Sequence, residues 1–155
     1  MDNNSIFLNQ KKFDEIWGRV TNTAPHDVEA LTEFLNDEFA DAYVYRVLAQ
    51  RYSGEMRTRF TQMANDEMRH YRMLSGAYYI VTGKKFIPEK PKKLTFESLP
   101  QLLKDRYYAE LSGASAYIKA SKNEEDDFSS LYLAAAEDEK RHARTILYIL
   151  GGIVK

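Results

Sequence analysis

The chain has 155 residues, 44% of them apolar, and a formal net charge of −1 from 22 basic and 23 acidic side chains. That length suits one domain with a full core, and the charge balance gives no electrostatic basis for binding nucleic acid or an anionic membrane. Cysteine is absent, which excludes disulfides, thiolate metal sites, iron–sulfur clusters and cysteine nucleophiles, and fits a reducing compartment.

The N-terminus, MDNNSIFLNQKKFDE, has no basic start followed by an apolar run, so no signal peptide is expected. The longest apolar stretch, near residues 146–154, is too short to span a bilayer. A soluble cytoplasmic protein is the expectation.

Residues 1–24 form an N-terminal extension. Phe13, Ile16, Trp17 and Val20 are spaced for one short amphipathic helix packed on the outside of the fold or on a partner subunit. The remaining chain, 25–155, divides into four longer helical patterns.

Helix 1 is predicted from about Pro25 to Tyr52, with Thr23 as N-cap and Pro25 in the first turn. Leu31, Phe34, Leu35, Ala42, Tyr45 and Leu48 share one face, and Glu38 lies in the middle of that stripe. After a break at Ser53-Gly54, helix 2 is predicted from about Glu55 to Val81. Phe60, Met63, Ala64, Tyr71, Leu74 and Tyr78 face inward, with Glu67 and His70 in line and Gly83 as the stop.

The stretch GKKFIPEKPKKLT, residues 83–95, has two prolines, five lysines and no helical period. It reads as an extended connection. Its 13 residues reach about 43 Å at about 3.3 Å each, enough to return along a helix of about 40 Å. Its lysines read as a solvated face.

Ser98-Leu99-Pro100-Gln101 opens helix 3 as a capping box with proline in the first turn. This helix runs to about Ser121, with Leu103, Tyr107, Ala114, Tyr117 and Ala120 on one face and Glu110 among them. Asn123 is the expected cap of helix 4, with Glu124, Glu125 and Asp126 at its positive end. Phe128, Tyr132, Ala135, Ala136, Ala143, Ile146 and Ile149 accompany Glu139 and His142, and Gly151-Gly152 is the expected end.

The two halves of this pattern repeat. A shift of 72 residues superposes Glu38 on Glu110, Glu67 on Glu139 and His70 on His142. It also matches Ala42/Ala114, Tyr45/Tyr117, Ala64/Ala136, Asp66/Asp138, Arg69/Arg141 and Arg72/Arg144. These nine identities, without a gap, compare with about two or three expected from composition. The expected architecture is all-α: two antiparallel helix hairpins related by a pseudo-twofold axis, joined by one long crossover into a four-helix bundle.

The repeat points to metal. Each half carries a Glu-x-x-His and a lone glutamate 29 residues upstream (67 − 38, 139 − 110). All four glutamates fall on apolar stripes, and a carboxylate buried without a partner costs several kcal/mol. Two divalent cations held by four carboxylates and two neutral imidazoles leave a net charge near zero. Glu and His three apart share a helix face, so both reach one ion. One Glu-x-x-His alone more often lies on an ordinary solvated face; six matched residues do not fit that alternative.

Asp66 and Asp138 precede the motif glutamates, and a metal-bound histidine usually gives its other N–H to a carboxylate or carbonyl. Asp66 is therefore expected to orient His142, and Asp138 to orient His70; an ordinary exposed helical Asp is an equal alternative. Tyr45 and Tyr117 lie two turns beyond the lone glutamates. Core packing with a satisfied hydroxyl is preferred for them over a redox role. Arg106, one turn before Glu110, faces inward to pair with a carboxylate or close one end of the site. His26 reads as a surface or capping residue. Asymmetry between the two metals is expected at Met68/Lys140, Tyr71/Ala143 and Met73/Thr145.

On these residues the chain, over about 28–150, resembles the ferritin-like di-iron superfamily, particularly the rubrerythrin-related proteins. The resemblance implies that Glu38, Glu67, His70, Glu110, Glu139 and His142 bind two iron ions, with manganese or zinc as other metals such ligands accept. It implies reduction of hydrogen peroxide or dioxygen, in oxidative-stress defence or iron-linked redox chemistry. Ferroxidase-type iron binding or storage and oxygenation of an organic substrate are the alternatives. Rubrerythrins append a rubredoxin-like module with Cys-x-x-Cys pairs, absent here, so electrons would come from a separate donor protein. Their extra glutamate on the third helix is also missing: Gly113 stands three residues beyond Glu110, and Tyr107 three before. Met68 follows Glu67 where a bacterioferritin haem ligand would fall. Only 13 residues follow His142 (155 − 142), which disfavours a large cage and leaves a homodimer as the expected assembly.

Overall fold

A computed structural model describes residues 26–124 and 126–154. The helix expected within 1–24 lies outside the described residues, as do Thr23 and Pro25. Among the described residues there are four α-helices and no strand: α1 (Val28–Arg51), α2 (Gly54–Thr82), α3 (Leu99–Ser121) and α4 (Asp126–Ile153).

Local chemistry sets the helix ends. The N-cap of α1 is Asp27, whose carboxylate accepts from the Ala30 N–H at 3.0 Å. Tyr52 leaves α1 in an extended conformation, and Gly54 opens α2 at φ 61°, a left-handed value that suits glycine in this tight turn. Gly83 ends α2 in the left-handed conformation, its N–H returning to the Tyr79 carbonyl at 2.8 Å.

Ser98 caps α3 by accepting from the Gln101 N–H at 3.4 Å. The Gln101 side chain instead donates to Asp105 at 3.0 Å, so only one half of the capping box forms. Asn123 sits in the turn before α4, its N–H on the Ala120 carbonyl at 3.0 Å, rather than acting as the cap. The helix α4 continues through Gly151 and Gly152 to Ile153. Both glycines are exposed, and their low helix propensity does not outweigh the backbone bonds of a helix already propagating.

Two apolar clusters fill the ends of the bundle. One joins Leu31 and Leu35 of α1, Leu74 and Ala77 of α2, Tyr117 of α3, and Tyr132, Ala135 and Ala136 of α4. The other joins Tyr45 and Leu48, Phe60, Met63 and Ala64, Leu103, and Ile146 and Ile149. The start of α1, the end of α2, the end of α3 and the start of α4 thus meet at one end. Helices α1 and α4 run one way, α2 and α3 the other.

The crossover between α2 and α3 travels the full length. Phe86 packs at the first end, against Tyr78, and Leu94 and Phe96 pack at the second. On the way it follows α1: the Glu89 N–H donates to Asn36 at 3.0 Å, and Arg51 donates to the Leu94 carbonyl at 3.4 Å. No helix among the described residues is long and apolar enough to cross a membrane.

Between the two apolar ends lies a polar layer. Its buried members are Glu38, Asp66, Glu67, His70, Glu110, Glu139 and His142.

Candidate metal centre

Every helix contributes to this layer. Helix α1 supplies Glu38, α3 supplies Glu110, and α2 and α4 each supply a Glu-x-x-His. The six side chains are between 0 and 5% exposed. Their donor atoms form two overlapping sets: Glu38, Glu67, His70 and Glu139, and Glu67, Glu110, Glu139 and His142. Within each set one atom per residue lies within 4.8 Å of the others. Glu67 and Glu139 belong to both, so the halves meet in a pair of shared carboxylates.

Both imidazoles turn Nδ1 inward. His70 Nδ1 lies 3.2 Å from Glu38, 3.3 Å from Glu67 and 3.7 Å from Glu139. His142 Nδ1 lies 2.9 Å from Glu67 and 3.4 Å from Glu110. The outward Nε2 atoms meet aspartates of the opposite hairpin: His70 with Asp138 at 2.9 Å, and His142 with Asp66 at 3.3 Å.

A ring of ion pairs closes the layer over α2 and α4. Arg69 bonds Asp66 at 2.7 Å and Asp138 at 2.6 Å. Arg141 bonds Asp66 at 2.8 Å and also Asp138. Each aspartate therefore holds one histidine and two guanidinium groups, which fixes both ring orientations. Arg69 and Arg141 are matched in the repeat, but their part in this ring follows only once α2 and α4 are seen side by side.

The lone glutamates are held from the other side. The Tyr45 hydroxyl donates to Glu110, and the Tyr117 hydroxyl donates to Glu38. Both tyrosines are buried, and each bonds the carboxylate of the other hairpin. Arg106 donates to Tyr45 at 3.3 Å, to Glu110 at 3.1 Å, and to Asp41. Asp41 is a partner that sequence reasoning missed. It lies three residues past Glu38 on the same face, a spacing that could have flagged it.

Gly113 also matters. A Cβ built there would stand 3.2 Å from Glu139 Oε2, so α3 approaches this shared carboxylate as closely as a glycine allows. The asymmetry expected at Met68/Lys140, Tyr71/Ala143 and Met73/Thr145 involves no direct bond to the six side chains. The polar difference lies instead at Arg106 and Asp41. His26 is no functional neighbour: its Nδ1 lies 2.5 Å from Glu124 and its ring stacks on Phe128 at 4.2 Å, tying the start of α1 to the turn before α4.

Proximity shifts the protons. Burial works against charge on both histidines, but the surrounding carboxylates prevail, lifting His70 to about 10 and His142 to about 12. Burial raises Glu38 to about 8. Burial together with the charges of Glu67 and Glu110 raises Glu139 strongly. Glu67 and Glu110 are also penalised by burial, but their histidine partners outweigh it; Glu67 falls below its ordinary value and Glu110 falls to about 2. The directions favour protonated histidines and neutral Glu38 and Glu139 beside ionised Glu67 and Glu110, an arrangement whose formal charges sum to zero.

The donors fit a metal ion. Glu67 Oε1 and Oε2, Glu110 Oε2 and His142 Nδ1 are buried atoms without a hydrogen-bond partner. His142 and Glu67 come close, but not in hydrogen-bonding alignment. Buried polar atoms are normally satisfied, and four orphans pointing into one space are what a cation would satisfy. Four carboxylates and two imidazoles suit iron, manganese or zinc. A small pit of about 40 Å³ lies between α2 and α4 on the outer side of His70, with Met73, Leu74, Leu131, Ala134 and Ala135 as its apolar wall and Arg69 and Asp138 beside the imidazole. It is large enough for a molecule the size of water.

Residues 26–152 match the family model of the ferritin-like domain. The chain belongs to the ferritin-like family. The match covers all four helices and both halves of the centre. The chain is also 28% identical, over 125 residues, to an uncharacterised protein, YhjR, of Bacillus subtilis (strain 168); the match covers 79% of this chain and 86% of that protein. No solved structure gives a significant match.

Proposed function

We propose that the protein is a non-haem di-iron oxidoreductase that reduces hydrogen peroxide or dioxygen. The observation that carries this reading is the pair of overlapping donor sets sharing Glu67 and Glu139, with orphaned atoms directed into them. Glu38 and His70 would hold one ion, Glu110 and His142 the other, and Glu67 and Glu139 both. When bound, two ferrous ions supply the two electrons that a peroxide bond needs to be reduced to water.

The protein's own groups provide the rest. Asp66 and Asp138 keep each histidine turned with Nδ1 inward, so the ligand geometry exists before the metal arrives. Tyr45 and Tyr117 restrain one oxygen of each lone glutamate and leave the other for the ion. The apolar clusters at both ends keep bulk water from the layer.

The Glu/His pattern supports kinship with rubrerythrin-related proteins. With no cysteine in the chain, electrons come from a separate donor protein, and the same absence supports a cytoplasmic setting. The test is anaerobic loading with ferrous iron, addition of stoichiometric peroxide or dioxygen, and turnover with a chemical reductant. Oxidation of both ions and repeated turnover are expected. Iron that stays ferrous, or that accumulates far beyond two ions per chain, would overturn the reading.

A further inference from the structure

The 72-residue symmetry holds for the six donors and fails beside them. Arg106 of α3 stands where α1 has Phe34 (106 − 72), and Asp41 of α1 stands where α3 has Gly113 (113 − 72). The environments of the two buried tyrosines differ as a result. The Arg106 guanidinium lies 5.3 Å from the centre of the Tyr45 ring. Tyr117 has the ring of Phe34 stacked on it at 4.2 Å, with Tyr132 at 5.9 Å.

The difference reaches the lone glutamates. Glu110 Oε1 accepts from the Tyr45 hydroxyl and also from Arg106 at 3.1 Å. The corresponding oxygen, Glu38 Oε1, accepts from Tyr117 and has no guanidinium beside it. The outer ring does not cause this, because Arg69 and Arg141 each bond both Asp66 and Asp138. Arg106 is the one guanidinium among the described residues that touches a single half of the centre.

We propose that Arg106 makes the two halves unequal, so that divalent ions load in order: first at Glu38 and His70, then at Glu110 and His142. This rests on the two-metal reading above. Arginine stays protonated throughout the working pH range. A fixed cation bonded to the Glu110 carboxylate opposes a second cation on that carboxylate, and the buried layer screens this poorly. Asp41, which accepts from the same Arg106 Nη2 as Glu110, offsets part of the charge, and this limits the difference. The second ion binds at least about tenfold more weakly than the first. Arg106 is thus a positioning residue that separates a tightly held metal from an exchangeable one.

The experiment is a calorimetric titration of cobalt(II) into the metal-free, full-length protein, read as binding and not as activity. Two steps, at least about tenfold apart, are expected. Glu38→Gln should remove the tight step and Glu110→Gln the weak one. The double variant Arg106→Leu with Asp41→Leu removes both charges together and should narrow the gap between the steps by at least about threefold. Arg106→Lys keeps the charge and should preserve the gap. Asp41→Asn removes the counter-charge and should widen it, which provides an answer even where the double variant folds poorly. Equal steps in the unmodified protein would overturn the ordering, as would a gap unchanged by both the double variant and Asp41→Asn. Failure to bind any cobalt would overturn the metal reading itself, a result distinct from two equal ions.

Discussion

Two divalent ions entering the metal-free protein at pH 7 should displace about four protons. The number follows from four groups whose folded values lie above neutrality: Glu38 at about 8, His70 at about 10, His142 at about 12, and Glu139 strongly raised. All four must lose a proton to ligate, whereas Glu67 and Glu110 are already ionised. The exchange conserves charge, four protons out for two doubly charged ions in, so the buried layer is neutral before and after.

Because each proton competes with metal, the combined affinity for both ions should strengthen by about 10⁴ per pH unit near pH 7, or about 5 kcal/mol. The slope should flatten above about pH 8, where Glu38 gives up its proton. Titrations in buffers of different ionisation enthalpy measure the proton count directly. Release of one proton or none would mean that the histidines are neutral in the metal-free state or do not bind the metal.

The same groups set the stability of the metal-free bundle. Glu38 and Glu139 are raised from 4.5, and His70 and His142 from 6.5. Their contribution is therefore fully present at low pH and is lost as pH rises through the folded values. Thermal melts of the apo protein should fall in midpoint from pH 6 to pH 9, while those of the metal-loaded protein should not. A rise in the apo midpoint over that range would contradict the assignment. Asp138→Asn, which weakens the hold on His70 Nε2, should lower metal affinity by about 10- to 100-fold with the helices intact. An unchanged affinity, measured by competition with a chelator, would show that the aspartate is only a surface ion-pair partner. Gly113→Ala should act in two directions. Helix propensity favours the alanine by up to about 1 kcal/mol, but its Cβ crowds Glu139 Oε2 at 3.2 Å. The expected result is an apo protein no less stable that binds metal more weakly; equal or tighter binding would show that Glu139 yields freely.

How much of this was readable before the structure depends on what the repeat marks. The lone glutamates and the two Glu-x-x-His pairs stood out because identical residues recur 72 positions apart on apolar stripes, and burial of carboxylates demands a counter-charge. The crossover was legible because its prolines, its lysines and its length all agree with an extended return. Arg106 could be placed facing inward, but its partner could not. Asp41 has no counterpart in the second half, and the pairing depends on how α1 and α3 face each other. The ring of Arg69 and Arg141 likewise depends on the contact of α2 with α4. Gly113 signalled only a missing glutamate, because a close approach is a property of two helices in space and not of their sequence. At the helix ends, α1 starts at Val28 on an Asp27 cap and α4 runs past the glycines, where a few tenths of a kcal/mol decide the outcome.

Whether two ions share Glu67 and Glu139 is decided by counting ferrous ions bound per chain under anaerobic conditions in the unmodified protein and in three variants. Two ions per chain are expected without substitution, one in Glu38→Ala, and none held tightly in Glu67→Ala or Glu139→Ala, since each shared carboxylate belongs to both donor sets. Two ions retained in Glu67→Ala, or a single ion in the unmodified protein, would rule out a shared pair of carboxylates.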